Sequence, residues 1–170
     1  MKTKAKTTWP ETISAPIRLL ASVSAIAGLN PAIAERMRTI PHTLDTIPGF
    51  GPVYSGGIIS EIAGIERFDY NQAKVAKYAG FKWRNTQSGE FQAEETRLTR
   101  TGNRYLRYYL CEAANAVGMR DAEYAAYYDR KYHEVRKHQH KRAIVLTARK
   151  LVRLVVRLLT TNESYRPRRL

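Results

Sequence analysis

The stretch Ile47-Pro48-Gly49-Phe50-Gly51-Pro52-Val53 constrains this chain more than any other, because a backbone carrying it must change direction there. Glycine reaches positive φ at no steric cost, so two glycines one residue apart favour a tight turn. Pro52 suits the first turn of a new helix, where its missing N–H would have no helical partner anyway. Ile58, Ile59 and Ile62 then fall on one side of the helix that starts there, ready to pack it down. The segment reads as a hairpin between helices. Its amides sit at the positive end of the helix dipole, and the glycines remove the Cβ atoms that would hold an anion at a distance. Gly49, Gly51 and Val53 are the backbone positions such a site would use. A tight interhelical turn that binds nothing fits the same residues.

Charge favours the binding reading. The chain carries 29 Lys and Arg against 15 Asp and Glu, a net of +14 over 170 residues, with a pI near 10.1. From Phe91 onward there are 18 basic and 8 acidic residues, so +10 of that charge sits in the last 80 residues. Such a balance points to a polyanion, since phosphate contacts supply most sequence-independent affinity. Ribosomal and membrane-surface proteins share these values. With this charge behind it, the glycine segment resembles a helix-hairpin-helix motif, which holds DNA backbone without reading bases.

Length and composition exclude several classes. A chain of 170 residues with 44% hydrophobic content supports one moderate domain or two small ones. The lone Cys111 excludes a disulfide framework or a cysteine-rich zinc site. No run approaches the roughly 20 apolar residues of a membrane span. Lys2, Lys4 and Lys6 lead into Thr7, Thr8, Trp9 and Pro10 without an apolar signal region. A cytoplasmic protein facing nucleic acid, with no membrane partner, is expected.

The fold class expected is mainly α, a helical domain with a helix-hairpin-helix motif. Residues 1–16 form a basic flexible N-terminus, and residues 17–43 a helical connector. In that connector Ile17, Leu20, Val23 and Ala27 mark one helix, Gly28-Leu29-Asn30-Pro31 interrupts it, and a second runs from about Ala32 to Thr39. The helix after Pro52 should stop near Gly64. Asp69 or Asn71 can cap another through Ala79, with Gly80 as its stop. From Phe81 to Leu98 a short irregular or hairpin loop is expected, with a Ser-Gly turn at Ser88-Gly89. Thr99 or Thr101 can start a helix carrying Leu106, Leu110, Ala113 and Val117 on one face. A tyrosine-rich helix follows from about Ala122 to His138, and a last one from about Lys141 to Leu159, before a basic tail over 161–170.

In the last helix Ile144, Ala148, Leu151, Val155 and Leu158 form an apolar stripe. Arg142, Arg149, Arg153 and Arg157 recur on the other side, with no acid between Arg142 and Arg157. A solvated helix usually mixes signs for i,i+4 pairing, so Arg149, Arg153 and Arg157 are candidate contacts to nucleic acid or an acidic partner. A plain solvated face is the other reading.

No metal site is expected. His138-Gln139-His140 has no third ligand close by, and the acids show no spacing that would converge on paired ions. Ser88 is followed by Arg97, Arg100, Arg104 and Arg107. A serine hydroxyl needs somewhere to send its proton, and arginines are natural clamps on charge developing at a phosphodiester. By composition alone Ser88 is one turn serine among many.

Four motifs in order change its standing: Ile47-Pro48-Gly49-Phe50-Gly51-Pro52, Tyr78-Ala79-Gly80-Phe81, Gln87-Ser88-Gly89, and Leu98-Thr99-Arg100-Thr101-Gly102-Asn103-Arg104-Tyr105-Leu106-Arg107. Together they resemble the C-terminal domain of insertion-sequence transposases of the one-ten family, with relatives one-sixteen and nine-oh-two, over roughly residues 44–160. Tyr127-Tyr128 and the stretch from Lys141 to Leu159 are similar to that family's tail.

The resemblance implies a bacterial or archaeal, nucleoid-associated DNA recombinase that moves its own element by cutting and rejoining DNA. It implies Ser88 as the nucleophile, forming a phosphoserine link; Arg100, Arg104 and Arg107, near the start of the helix that follows, are candidate phosphate contacts by their own chemistry. Guide RNA and assembly as a homo-oligomer on DNA are implied partners. A divalent metal, Mg, is implied for an acid-bearing RNase-H-like N-terminal domain that this sequence does not match, so those acids are not carried over. The family's loop after Ser-Gly is usually glycine-rich and basic, whereas here it reads Glu90-Phe91-Gln92-Ala93-Glu94-Glu95. Two readings follow: a transposase domain inactive without its acid-bearing partner, or a stand-alone nucleic-acid-binding helical protein.

Overall fold

The computed structural model describes residues 29–83, 87, 88, 91, 92, 98 and 101–167, and the expectations for residues 1–28 and 168–170 lie outside them. Within that range the chain is mainly helical. Helix α1 covers 29–38, α2 Pro52–Ile62, α3 Gln72–Tyr78, α4 Arg104–Gly118, α5 Ala122–His133 and α6 Gln139–Thr161. Two 3-10 turns, Leu44–Thr46 and Glu66–Phe68, precede α2 and α3.

Helix α4 packs on α2, α5 and α6, and α6 packs in turn on α3 and α5. The periodicity of α4 accounts for its place, since Leu106, Leu110, Ala113 and Val117 are all buried. Each such leucine contributes about 1.5–3 kcal/mol by leaving water. On α6, Ala148, Leu151, Val155 and Leu158 are buried as expected, while Ile144 is only half-buried. Ala143, Val152 and Val156 are buried as well, because a helix with three neighbours covers more than one stripe. In α2, Ile58 and Ile62 enter the core and Ile59 packs at its edge. Gly57 lets α2 and α4 meet closely: a Cβ there would lie 2.6 Å from the Tyr109 ring.

Helix ends follow capping chemistry. Asn71 caps α3, its side chain accepting from the amides of Ala73 and Lys74 at 2.8 and 3.4 Å. Asp69, the other candidate, takes a left-handed conformation (φ 51°) and pairs with Lys74. Gly80 (φ 78°) ends α3 as expected, and α2 stops at Ile62 with Ala63 and Gly64 both at positive φ.

Three boundaries differ from expectation. Helix α4 starts after Asn103, not at Thr99 or Thr101. Gly102 (φ 133°) brings the chain so near Tyr78 that its Cβ would lie 2.4 Å from that carbonyl, and only beyond this turn does Asn103 accept from Tyr105 and Leu106. Helix α5 ends at His133 rather than His138, where Glu134 takes ion pairs from Lys131 and from Arg142 on α6. Leu29, Asn30 and Pro31, expected to interrupt a helix, are helical, since proline's fixed φ is already the helical value.

The loop region is a hairpin. Gln87–Ser88 (β1) pairs antiparallel with Phe91–Gln92 (β2), with Ser88 opposite Phe91. Trp83 and Leu98 form an antiparallel bridge at its foot. Beyond α6 the chain returns to the core: the Tyr165 amide donates to Thr46 Oγ1 at 2.8 Å, and its hydroxyl donates to buried Asp121 at 2.6 Å.

Candidate nucleic-acid interface

The two hairpin glycines do different things. The Phe50 amide donates to the Ile47 carbonyl at 3.0 Å, with Pro48 and Gly49 between them and Gly49 at φ 92°. Proline second and positive-φ glycine third fit a type II turn. A Cβ on Gly49 would lie 2.7 Å from the Ala116 carbonyl oxygen, so the turn is pressed against the end of α4. Gly51 is the N-cap of α2 with φ −111° and ψ 171°, a conformation open to any residue, and a Cβ there would meet nothing within 4 Å. The backbone at Gly51 is therefore open to approach, whereas Gly49 is held by packing. Val53, in the first turn of α2, is half-buried. The element before the turn is the three-residue Leu44–Thr46.

The turn is braced from below. Ser55, fully buried on α2, donates to Asp45, and His42 Nε2 lies 3.7 Å from the same carboxylate. Aspartate sits between serine and histidine, so the serine hydroxyl is held by a carboxylate and not by the imidazole, and the trio braces the turn. Arg120 is the cation that sequence reasoning missed. Its Cδ would lie 3.3 Å from a Cβ on Gly49, and its Nη1 reaches the Ala116 carbonyl at 3.4 Å. No spacing in the sequence links Arg120 to Gly49; only the docking of the turn on α4 does.

Arg104 and Arg107 lie at the other end of α4. Between Arg104 and Ala116 the helix axis runs about 18 Å. Arg104 is exposed, donates to the Tyr105 hydroxyl at 2.6 Å and stacks over its ring at 4.7 Å. That hydrogen bond raises the pKa of a guanidinium already always charged. Arg107 is half-buried and turned inward, its Nη1 donating to the Ala79 carbonyl at 3.3 Å. Arg149 reaches the same loop from α6, its Nη1 donating to the Phe81 carbonyl at 2.6 Å. The structure thus brings Arg107 and Arg149 together on residues 79–81, which lead into the hairpin.

The arginine side of α6 is partly neutralised from elsewhere in the fold. Arg142 pairs with Glu134 at 2.9 Å, and hydrogen bonds from Lys131 and then Arg142 hold that carboxyl below its usual range. Arg157 lies 3.4 Å from Glu163, both well exposed. Arg153 makes no ion pair among the described residues. Arg153 and Arg157 border a cleft against Asp69, Tyr70, Asn71 and Gln72 at the start of α3.

Ser88 stands in β1, on an arm that leaves the core at Phe81. Its side chain, Gly89, Glu90 and Arg100 lie outside the described residues. Among the described residues no three His, Cys, Asp or Glu side chains gather as a metal site, and no helix is long and apolar enough to cross a membrane.

Residues 41–129 match the model of a protein family described as Transposase IS116/IS110/IS902 family. The match covers the glycine hairpin, Ser88, Arg104, Arg107 and Arg120, and ends before α6. No curated protein matches the chain.

Proposed function

Because the chain belongs to the IS116/IS110/IS902 transposase family, we propose that it is the DNA-holding and serine-bearing part of a recombinase that cuts and rejoins DNA. The turn at Gly49 and Gly51, with Val53 and Arg120, grips one phosphate through backbone amides and a guanidinium. Arg104 and the loop braced by Arg107 and Arg149 meet the backbone at the other end of α4. About 18 Å of duplex axis corresponds to about five base pairs at 3.4 Å each. Arg153 and Arg157 extend the basic surface along α6.

Ser88 is the proposed nucleophile. Its Oγ bonds to phosphorus while the bond to the leaving sugar oxygen breaks, and the hydroxyl proton ends on that departing oxygen. One ester replaces another, so the link is reversible and rejoining needs no outside energy source. A divalent metal belongs to the same reading, on the acid-bearing domain that the family resemblance implies; among the described residues no three metal-ligating side chains come together. Guide RNA and a homo-oligomeric assembly belong to the same reading.

The observation that carries this proposal is that the family match takes in both the serine strand and a turn whose Gly51 backbone is open. Binding of this chain to duplex DNA across a salt series tests the holding role. Log affinity should fall linearly with log salt, at about 0.9 per phosphate neutralised. A flat line would contradict it.

A further inference from the structure

Beside the foot of the serine hairpin lies a cavity of about 350 Å³ lined by Ala73, Lys77, Phe81, Lys82, Trp83 and Arg149. Of these six described residues three are cations and none is an acid. Phe81 is fully buried, Lys82 is exposed and Trp83 is half-buried. The chain therefore leaves the core with its indole at the surface. The bridge to Leu98 fixes the Trp83 backbone, and Arg149, anchored on the Phe81 carbonyl at 2.6 Å, stands 5.6 Å from the indole centre.

An aromatic face beside cations, with no acid among the described lining residues, suits one ligand chemistry: a flat base carrying phosphate. The π-face stacks on any base, and the cations take the negative charge. A base inside a duplex has both faces covered by its neighbours, so the fitting occupant is an unpaired nucleotide. We propose that this cavity is a subsite for one unpaired nucleotide of a DNA strand, its base stacked on Trp83 and its phosphates held by Lys77, Lys82 and Arg149. Its place at the root of the arm bearing Ser88 would set aside a nucleotide next to the phosphodiester under attack. That location rests on the function proposed above; affinity for unpaired strand does not.

Trp83 is its own reporter, because the chain has only one other tryptophan, Trp9. In a Trp9→Phe chain, short single-stranded oligothymidylate should quench Trp83 fluorescence saturably. Trp83→Ala should lower single-strand affinity by about tenfold or more, as expected for loss of one stacked base. Duplex affinity should stay within about twofold, and Trp83→Phe should retain most single-strand affinity. Exposed Lys77→Gln, which leaves the indole and the fold in place, should lower the single-strand salt slope by about 0.7. Absence of quenching, equal losses on single strand and duplex, or an unchanged slope in Lys77→Gln would overturn the subsite. Oligouridylate binding tenfold tighter than oligothymidylate would overturn its assignment to DNA. Failure of the wild-type chain to bind duplex, with quenching by single strand intact, would instead count against the hairpin's role and leave this subsite standing.

Discussion

Arg149 on α6 donates through Nη1 to the backbone carbonyl of Phe81 at 2.6 Å, tying the last helix to the root of the serine hairpin. This contact separates Arg149 from its neighbours at the same helical period. Arg149→Gln is expected to cost about 1–2 kcal/mol of stability, for a charged hydrogen bond lost, as well as nucleic-acid affinity. Arg153→Gln and Arg157→Gln are surface changes, expected to stay within about 0.5 kcal/mol in stability while still weakening binding. Urea unfolding run beside binding isotherms checks both. Equal stability losses at all three sites would mean that the Phe81 contact contributes nothing.

The hairpin glycines should separate in the same way. Gly49→Ala puts a Cβ 2.7 Å from the Ala116 carbonyl oxygen at a φ of 92°, so the chain should lose well over 1 kcal/mol of stability. Gly51→Ala meets open space at a permitted φ. Its folding cost should stay near 1 kcal/mol, the usual difference at an N-cap. A fall in DNA affinity for Gly51→Ala, with the circular-dichroism spectrum retained, is the expected outcome. Unchanged affinity would remove Gly51 from the interface.

Asn103 holds a junction. It caps α4 through the Tyr105 and Leu106 amides, and its Nδ2 donates to Glu61 at 2.6 Å and to the Tyr78 hydroxyl at 3.1 Å. Asn103→Ala should cost about 2 kcal/mol, a cap plus bonds to two other elements. Thr101→Ala, exposed and outside the cap, should cost less than about 0.5 kcal/mol. Thermal melts of the two variants decide, and reversal of that order would move the helix start back to Thr101.

Burial pushes the Cys111 thiol up to about 11. In the unfolded chain a thiol titrates near ~8.5, so between these values the native state keeps a proton that the unfolded state releases. The stability this group contributes is full below about 8.5 and is lost as pH rises through about 11. A disulfide reagent at pH 8 should label the native chain far more slowly than the chain in urea. Equal rates would place the thiol at the surface.

Much of this was legible because periodicity is local. The stripe of α4, most of that of α6, the Asn71 cap and the stop at Gly80 each follow from a few neighbouring residues. Contacts between residues far apart in sequence were not legible. By sequence Arg107 and Arg149 read as contacts to phosphate or an acidic partner, yet both also donate to carbonyls that other elements bring to them. Arg142 looked unpaired because its acid, Glu134, stands before the helix rather than on it. The end of α5 was obscured because only Tyr124 of that helix is fully buried, so its tyrosines give no apolar phase to follow. Arg120 and Trp83 acquire their candidate roles only when α4 meets the turn and α6 meets the hairpin root.

The central claim is that Ser88 attacks DNA. The direct measurement is to supply this chain with the acid-bearing domain and guide RNA, incubate it with element-end DNA, and map the denaturation-resistant protein–DNA adduct by mass spectrometry of its peptide. The account predicts a phosphodiester-linked peptide containing Ser88, absent from Ser88→Ala while duplex binding is retained. An adduct that persists in Ser88→Ala, or that maps to another residue, would contradict it.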